Sequence, residues 1–177
     1  MLQKGGIILY PTDTIWGIGC DATSREGVQK IYRIKQRDDR KSMLVLVNGT
    51  DMLKSYIRAF PRQAQSILKE AKKPTTIIYP DARNLADNLL APDGSIGIRI
   101  TSDPFCRSLM DVTGFPLVST SANLSGEQAP DIFGKIKPEI LERVDYVVNW
   151  RQDDLTPSYP SAIIKLESDG TILVIRP

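Results

Sequence analysis

Ile7-Ile8-Leu9-Tyr10-Pro11-Thr12-Asp13-Thr14-Ile15 decides how this chain is to be read. An unbroken apolar run from Ile7 to Tyr10 suits a buried strand, and Pro11 ends it because proline has no N–H to offer a ladder. Two hydroxyls and a carboxylate follow at once. Ligands of open α/β sheets bind beyond strand ends, so this turn is a candidate site. A proline turn whose threonines bond their own backbone is the competing reading. The next stretch, from Ile15 to Ala22, is apolar with two glycines and reads as a strand or an irregular segment.

Outward from there, strand and helix patterns alternate. Thr23-Ser24-Arg25-Glu26 has capping-box spacing, with Thr23 as the cap. The helix it starts puts Val28, Ile31, Tyr32 and Lys35 on one face and should fray near Arg37-Asp38-Asp39. Met43 to Val47 reads as a central strand. Pro61 to Ala71 reads as a helix with proline in its first turn. Strands are expected over Thr75–Tyr79, Ile96–Ile100, Leu117–Thr120 and Tyr146–Val148, with helices over Pro104–Val112 and Pro138–Val144. Ser161–Leu166 and Thr171–Ile175 flank Ser168-Asp169-Gly170, a hairpin signature. No long linker or repeat interrupts this order, so one α/β domain over residues 1–177 is expected, with a mixed sheet and flanking helices. The closing hairpin argues against a purely parallel sheet.

Composition narrows the chemistry. The chain of 177 residues is 41% hydrophobic and 25% charged, which is globular rather than disordered. No apolar run reaches the roughly 18 residues of a membrane span, and the N-terminus lacks a secretory layout. Two cysteines, Cys20 and Cys106, read as buried thiols in a reducing, cytoplasmic setting. Histidine is absent. A Ser-His-Asp triad, a Cys-His pair and a histidine metal site are therefore excluded. Neither GxxxxGK[ST] nor GxGxxG occurs, so any nucleotide must be held another way.

Three further polar segments interrupt the apolar pattern. Arg33 to Lys41 has five basic residues in nine. Lys35 and Arg37, two apart, would diverge on a regular helix and meet one anion only where the helix ends. Lysine and arginine together suit a polyphosphate, while a solvated basic helix end is the bland alternative. Ser119-Thr120-Ser121-Ala122-Asn123-Leu124-Ser125-Gly126 follows a strand and is dense in groups that can cradle phosphate or carboxylate. Tyr159-Pro160-Ser161-Ala162 and Arg176-Pro177 sit on the two arms of the hairpin; its register decides whether Ser161 and Arg176 meet.

Taken in order, these segments resemble the YrdC family, the threonylcarbamoyl-AMP synthases also called TsaC. The resemblance rests on Pro11-Thr12-Asp13-Thr14-Ile15-Trp16-Gly17, Lys35-Gln36-Arg37, Arg99, Ser121-Ala122-Asn123-Leu124-Ser125-Gly126, Ser161 and Arg176-Pro177. It implies a YrdC-like twisted mixed sheet around a concave basic cavity. It also implies a reaction in which L-threonine, bicarbonate or CO2 and ATP give threonylcarbamoyl-AMP and pyrophosphate, with Mg²⁺ neutralising the triphosphate. A downstream tRNA threonylcarbamoyl-transferase complex would use the product at the adenosine beside the anticodon. On this resemblance Lys35 and Arg37 are catalytic and bind ATP together with Arg99, Ser119, Ser121, Asn123 and Arg176. Thr12, Thr14, Lys41, Thr120 and Ser161 hold threonine, Arg37 or Lys41 taking its carboxylate. No metal ligand is expected from the chain and no membrane contact. Weak binding of tRNA or double-stranded RNA is expected beside the main activity. Two other readings stand next to it: a structured-RNA binding module carried by Arg33–Lys41, and a carbamoyl-transfer domain with another acceptor.

Overall fold

The structure, a computed structural model, describes residues 1–36 and 43–177. Its strands are β1 (Ile8–Tyr10), β2 (Gly17–Gly19), β3 (Leu44–Val47), β4 (Thr75–Tyr79), β5 (Ile96–Ile100), β6 (Leu117–Ser121), β7 (Tyr146–Val147), β8 (Ala162–Leu166) and β9 (Ile172–Arg176). Its helices are α1 (Arg25–Lys35), α2 (Thr50–Tyr56), α3 (Arg62–Glu70), α4 (Pro104–Thr113) and α5 (Pro138–Leu141). The strands form one sheet in the order β7-β1-β2-β6-β3-β5-β4-β8-β9. The β1/β7, β3/β5 and β4/β8 pairs are parallel and the others antiparallel, so the sheet is mixed as expected.

Alternation along the strands gives the sheet two unlike faces. Leu9, Ile18, Val45, Ile77, Ile98 and Val118 point one way and pack with Val28, Ile31 and Tyr32 of α1, Leu53 of α2 and Ala64 of α3. Ile8, Tyr10, Leu46 and Leu117 point the other way, against Cys106 and Met110 of α4. Helix α4 covers only part of that second face. Beyond it the same face carries Ser119, Gly97, Arg99, Thr76 and Ile163 around a cavity. Small and polar residues replace the apolar ones where the cover stops.

Tyr10 shows how tightly the covered part is built. Its hydroxyl donates to the Val118 carbonyl at 3.0 Å, and burial pushes its pKa well above the phenol range. The ring crosses Gly19, where an added Cβ would lie 2.7 Å from Tyr10 Cε1 and 2.3 Å from the Val118 oxygen.

Several elements start or stop differently from the sequence expectation. Ser24, not Thr23, caps α1, its hydroxyl accepting from Gly27 N at 3.1 Å. Thr23 is taken by Asp21 Oδ1, which accepts both its N–H at 2.8 Å and its hydroxyl at 2.7 Å. Glu26 pairs with Lys30 at 3.0 Å instead of reaching back to a cap. Helix α1 closes on Gln36 at φ 49°, and the expected fraying at 37–39 lies outside the described residues. Pro61 precedes α3 as its cap. The expected helix at 138–144 shrinks to one turn, since Arg143 N turns back to Ile140 O at 3.2 Å. Helix α2 was not expected from the sequence at all. The β8/β9 hairpin forms, with Gly170 at φ 89° in its turn.

Candidate active site

The turn after β1 is held from several sides. Thr12 Oγ1 donates to Ile15 O at 2.8 Å and accepts from Thr14 N at 3.0 Å, so this buried hydroxyl shapes the turn. Thr14 Oγ1 lies 3.0 Å from it and faces the cavity. Asp13 Oδ2 accepts from Ser102 N at 3.2 Å. Its Oδ1 stands 3.0 Å from Arg99 Nη2, in an ion pair whose side chains are only 8% and 2% exposed. Arg151 donates to the Thr12 carbonyl at 3.3 Å and to Asp103 Oδ2 at 2.5 Å. Asp103 in turn caps α4 through Cys106 N at 2.9 Å. The turn is thus fastened to β5, to the start of α4 and to the chain near residue 151.

Beside it opens a cavity of about 310 Å³. Its floor is the uncovered sheet face, on β2, β6, β3, β5, β4 and β8, and Arg176 of β9 closes one side. Gly17 and Gly97 keep the floor low: a Cβ on either would come within 3.0 Å of Ser119 Oγ or 3.2 Å of Thr76 Cγ2. Trp16 forms part of the wall, its ring 4.8 Å from that of Phe133.

Two guanidiniums face the cavity. Arg99 rises from the floor and Arg176 Nε donates to the Ser161 carbonyl at 2.8 Å. The hairpin register therefore does bring Ser161 and Arg176 together. Burial, then the nearby charge of Arg99, holds the Arg176 pKa below its ordinary value. Arg99 is paired with Asp13, so the net positive charge facing this space comes from Arg176. Arg99 Nε is moreover a buried donor without a hydrogen-bond partner among the described residues. The Ser161 hydroxyl is 2.8 Å from that of Thr76, both buried.

Thr14, Arg99, Ser119, Thr120, Ser121, Ser161 and Arg176 all line this cavity. Thr12 is not in the lining; its hydroxyl touches that of Thr14, which is. Lys35 and Asn123 stand behind the β6 turn and not in the lining. Lys35 is 1% exposed at the end of α1. Its ammonium donates to the Ser121 carbonyl and, at 2.6 Å, to that of Asn123. Ser125 N returns to Lys35 O at 2.9 Å. Asn123 Nδ2 donates to the carbonyls of Leu124 and Glu127, each at 2.8 Å. Arg37 and Lys41 lie outside the described residues.

Sequence reasoning left Asp13, Thr76 and Arg151 out of the candidate residues. Asp13 carried a signal, a carboxylate between two threonines at the end of a buried strand. Thr76 could have been found from the β4 alternation, which sets it on the face opposite Thr75 and Ile77. Arg151 sits in a polar stretch whose sequence points to nothing in particular.

Comparison with known proteins agrees with this geometry. The Sua5/YciO/YrdC family model, described as telomere recombination, matches residues 1–177. A putative threonylcarbamoyl-AMP synthase of Methanocaldococcus jannaschii is 35% identical over 173 residues, covering 98% of this chain and 80% of that one. The threonylcarbamoyl-AMP synthase of Marinobacter nauticus is 32% identical over 146 residues, or 81% of this chain and 77% of that one. The crystal structure of E. coli YciO matches with a TM-score of 0.84 and 26% identity, over 99% of this chain and 84% of that one. P. abyssi Sua5 complexed with L-threonine has a TM-score of 0.86 at 18% identity, over 99% of this chain, which spans 51% of that longer one; that likeness shows the fold alone. A single α/β sheet, a cavity lined by two arginines and hydroxyls, and a match along the whole chain together place this chain in the Sua5/YciO/YrdC family.

Proposed function

We propose that this chain is an L-threonylcarbamoyladenylate synthase, a nucleotidyltransferase. The observation that carries the reading is the cavity in which Arg99 and Arg176 face a hydroxyl-lined strand end. The names of the relatives from Methanocaldococcus jannaschii and Marinobacter nauticus support it, as does the L-threonine complex of P. abyssi Sua5.

The proposed chemistry draws on the hydroxyls and guanidiniums of the cavity. Threonine's neutral amine adds to the carbon of CO2 and loses one proton to solvent, giving a carbamate. A carbamate oxygen attacks the α-phosphorus of ATP, the bond to the bridging oxygen breaks, and pyrophosphate leaves with its electron pair. No side chain need be acylated. Catalysis is positioning and neutralisation of developing charge. Arg99 and Arg176 are assigned to ATP, with Ser119 and Ser121 on the floor. Asn123 belongs to the ATP site through the turn it braces. Thr14, Thr120 and Ser161 are assigned to the amino acid, with Thr12 shaping the turn after β1. Arg37 is assigned to the departing pyrophosphate and Lys41 or Arg37 to the threonine carboxylate, while Lys35, buried and bonded to the Ser121 and Asn123 carbonyls, holds the β6 turn. Mg²⁺ fits as a passenger on the triphosphate. The cavity lining offers hydroxyls and cations, and the nearby Asp13 carboxylate is already paired with Arg99. No described helix is long and apolar enough to cross a membrane. The cytoplasm, where a tRNA-modifying complex would receive the product, is the proposed compartment.

The test is identification of the product. Incubation with ATP, Mg²⁺, bicarbonate and L-threonine should yield threonylcarbamoyl-AMP by mass spectrometry, with nothing formed when any one substrate is left out. AMP formation independent of threonine, or no nucleotide turnover, would remove the proposal.

A further inference from the structure

A second cavity lies on the opposite face of the sheet. Strand alternation places it there: Thr76 and Arg99 line the first cavity, whereas Thr75 and Ile100, their chain neighbours, line the second. It measures about 710 Å³ against about 310 Å³ for the first, enough for a small organic molecule. Its apolar wall is formed by Phe60, Leu68 and Ile100. Its rim carries Lys69, in the last turn of α3, and Lys72 and Lys73 in the segment leading to β4.

Charge is what sets this cavity apart. None of the three rim lysines has an acidic partner among the described residues, whereas Lys30, Lys54, Lys135, Lys137 and Lys165 each make an ion pair. The single carboxylate in its lining, Asp13, is already neutralised by Arg99. An apolar trough is therefore left under a rim of unpaired ammonium groups. Lysine ammoniums are compact donors on flexible stems and can converge on one oxyanion without fixed geometry.

We propose that this second cavity binds a small organic oxyanion, a phosphate or carboxylate on an apolar body, with the anion on Lys69, Lys72 and Lys73 and the body against Phe60, Leu68 and Ile100. Such a ligand would sit beside Asp13, whose ion pair with Arg99 stands between the two cavities. This site is separate from the proposed reaction and survives the failure of that reading.

The test uses the full chain labelled with ¹⁵N and titrated with phenyl phosphate, benzoate and inorganic phosphate. Phenyl phosphate or benzoate should give saturable amide shifts at Lys69, Lys72, Lys73 and Thr75. The stronger of the two tells a phosphate site from a carboxylate site. Inorganic phosphate, lacking an apolar body, should bind roughly ten-fold more weakly or worse. A Lys69→Gln, Lys72→Gln, Lys73→Gln variant, changed only at exposed positions, should bind about ten-fold more weakly or worse. Lys73→Gln alone should show part of that loss. The proposal is overturned if shifts appear only around Thr14, Ser119 and Arg176, if the triple variant binds as the parent does, or if inorganic phosphate binds as tightly as phenyl phosphate.

Discussion

At the scale of single residues, the Asp13–Arg99 pair dominates the site. Removing one partner of a buried ion pair strands the other, a loss of roughly 3–5 kcal/mol. Asp13→Asn should therefore lower stability to urea by an amount of that order, because Arg99 is only 2% exposed. An unchanged urea midpoint would show that Arg99 does not depend on Asp13. Arg176 is different. It lies at the sheet edge and bonds one carbonyl, so Arg176→Gln should leave stability within about 1 kcal/mol. Pyrophosphate release should still fall by about 10²-fold, the usual loss for one group that stabilises developing charge. Near-parental turnover in Arg176→Gln would remove Arg176 from the ATP site. The cysteines do no chemistry on this account. Cys20 and Cys106 are both free and buried, and burial pushes both thiols well above the ordinary range. A thiol reagent should leave the folded protein unlabelled and modify both cysteines after denaturation; rapid labelling in native buffer would contradict their burial.

At the scale of elements, the joint between α1 and the β6 turn is the critical one. Lys35 donates to two carbonyls of that turn and is fully buried. Lys35→Met keeps the stem but removes both contacts; the Ser121 carbonyl still accepts from Asn123 N at 2.9 Å, whereas the Asn123 carbonyl loses its ammonium donor, a loss of about 1–3 kcal/mol. Hydrogen exchange at Ser125 N, which bonds Lys35 O, should quicken; protection equal to the parent's would deny the clasp. The joint between β1 and β2 has its own test. Gly19→Ala would set a methyl 2.3 Å from a backbone oxygen, an overpacking loss of about 1–3 kcal/mol or more. These joints also mark what the sequence could tell. Strands such as Thr75–Tyr79 and Ile96–Ile100 were legible because they are rich in β-branched residues, and the sheet buries both of their faces. The polar ends of β1 and β6 were legible because hydroxyls follow buried runs directly. Helix α2 was not, since Thr50 to Tyr56 is short, and Leu53 is its one fully buried residue. The cap of α1 was misplaced because Thr23 and Ser24 are chemically equivalent caps, and Asp21, three-dimensionally close, decides between them. Lys35 read as a phosphate ligand by its residue type; its hold on the β6 turn depends on a contact 86 residues away that no local pattern encodes.

At the scale of the whole molecule, the fold works by covering one sheet face unevenly. Helix α4 seals the part beside β1, and the rest stays open, floored by glycine, serine and arginine. Apart from the β8/β9 hairpin, which strands become neighbours was not readable, because the order β7-β1-β2-β6-β3-β5-β4-β8-β9 joins segments far apart in the chain. That order is what gathers Thr14, Arg99, Ser161 and Arg176 into one space. The central claim is that this space activates threonine in particular. A site that hydrogen-bonds the substrate hydroxyl rejects analogues lacking it by several powers of ten, whereas losing one methyl is worth only about 1–3 kcal/mol. The direct measurement is pyrophosphate release with ATP, bicarbonate and, in turn, threonine, serine, valine and alanine at equal concentration. Threonine should be fastest, serine slower by roughly 10- to 200-fold, and valine and alanine far behind. Equal rates with valine and threonine would contradict the account.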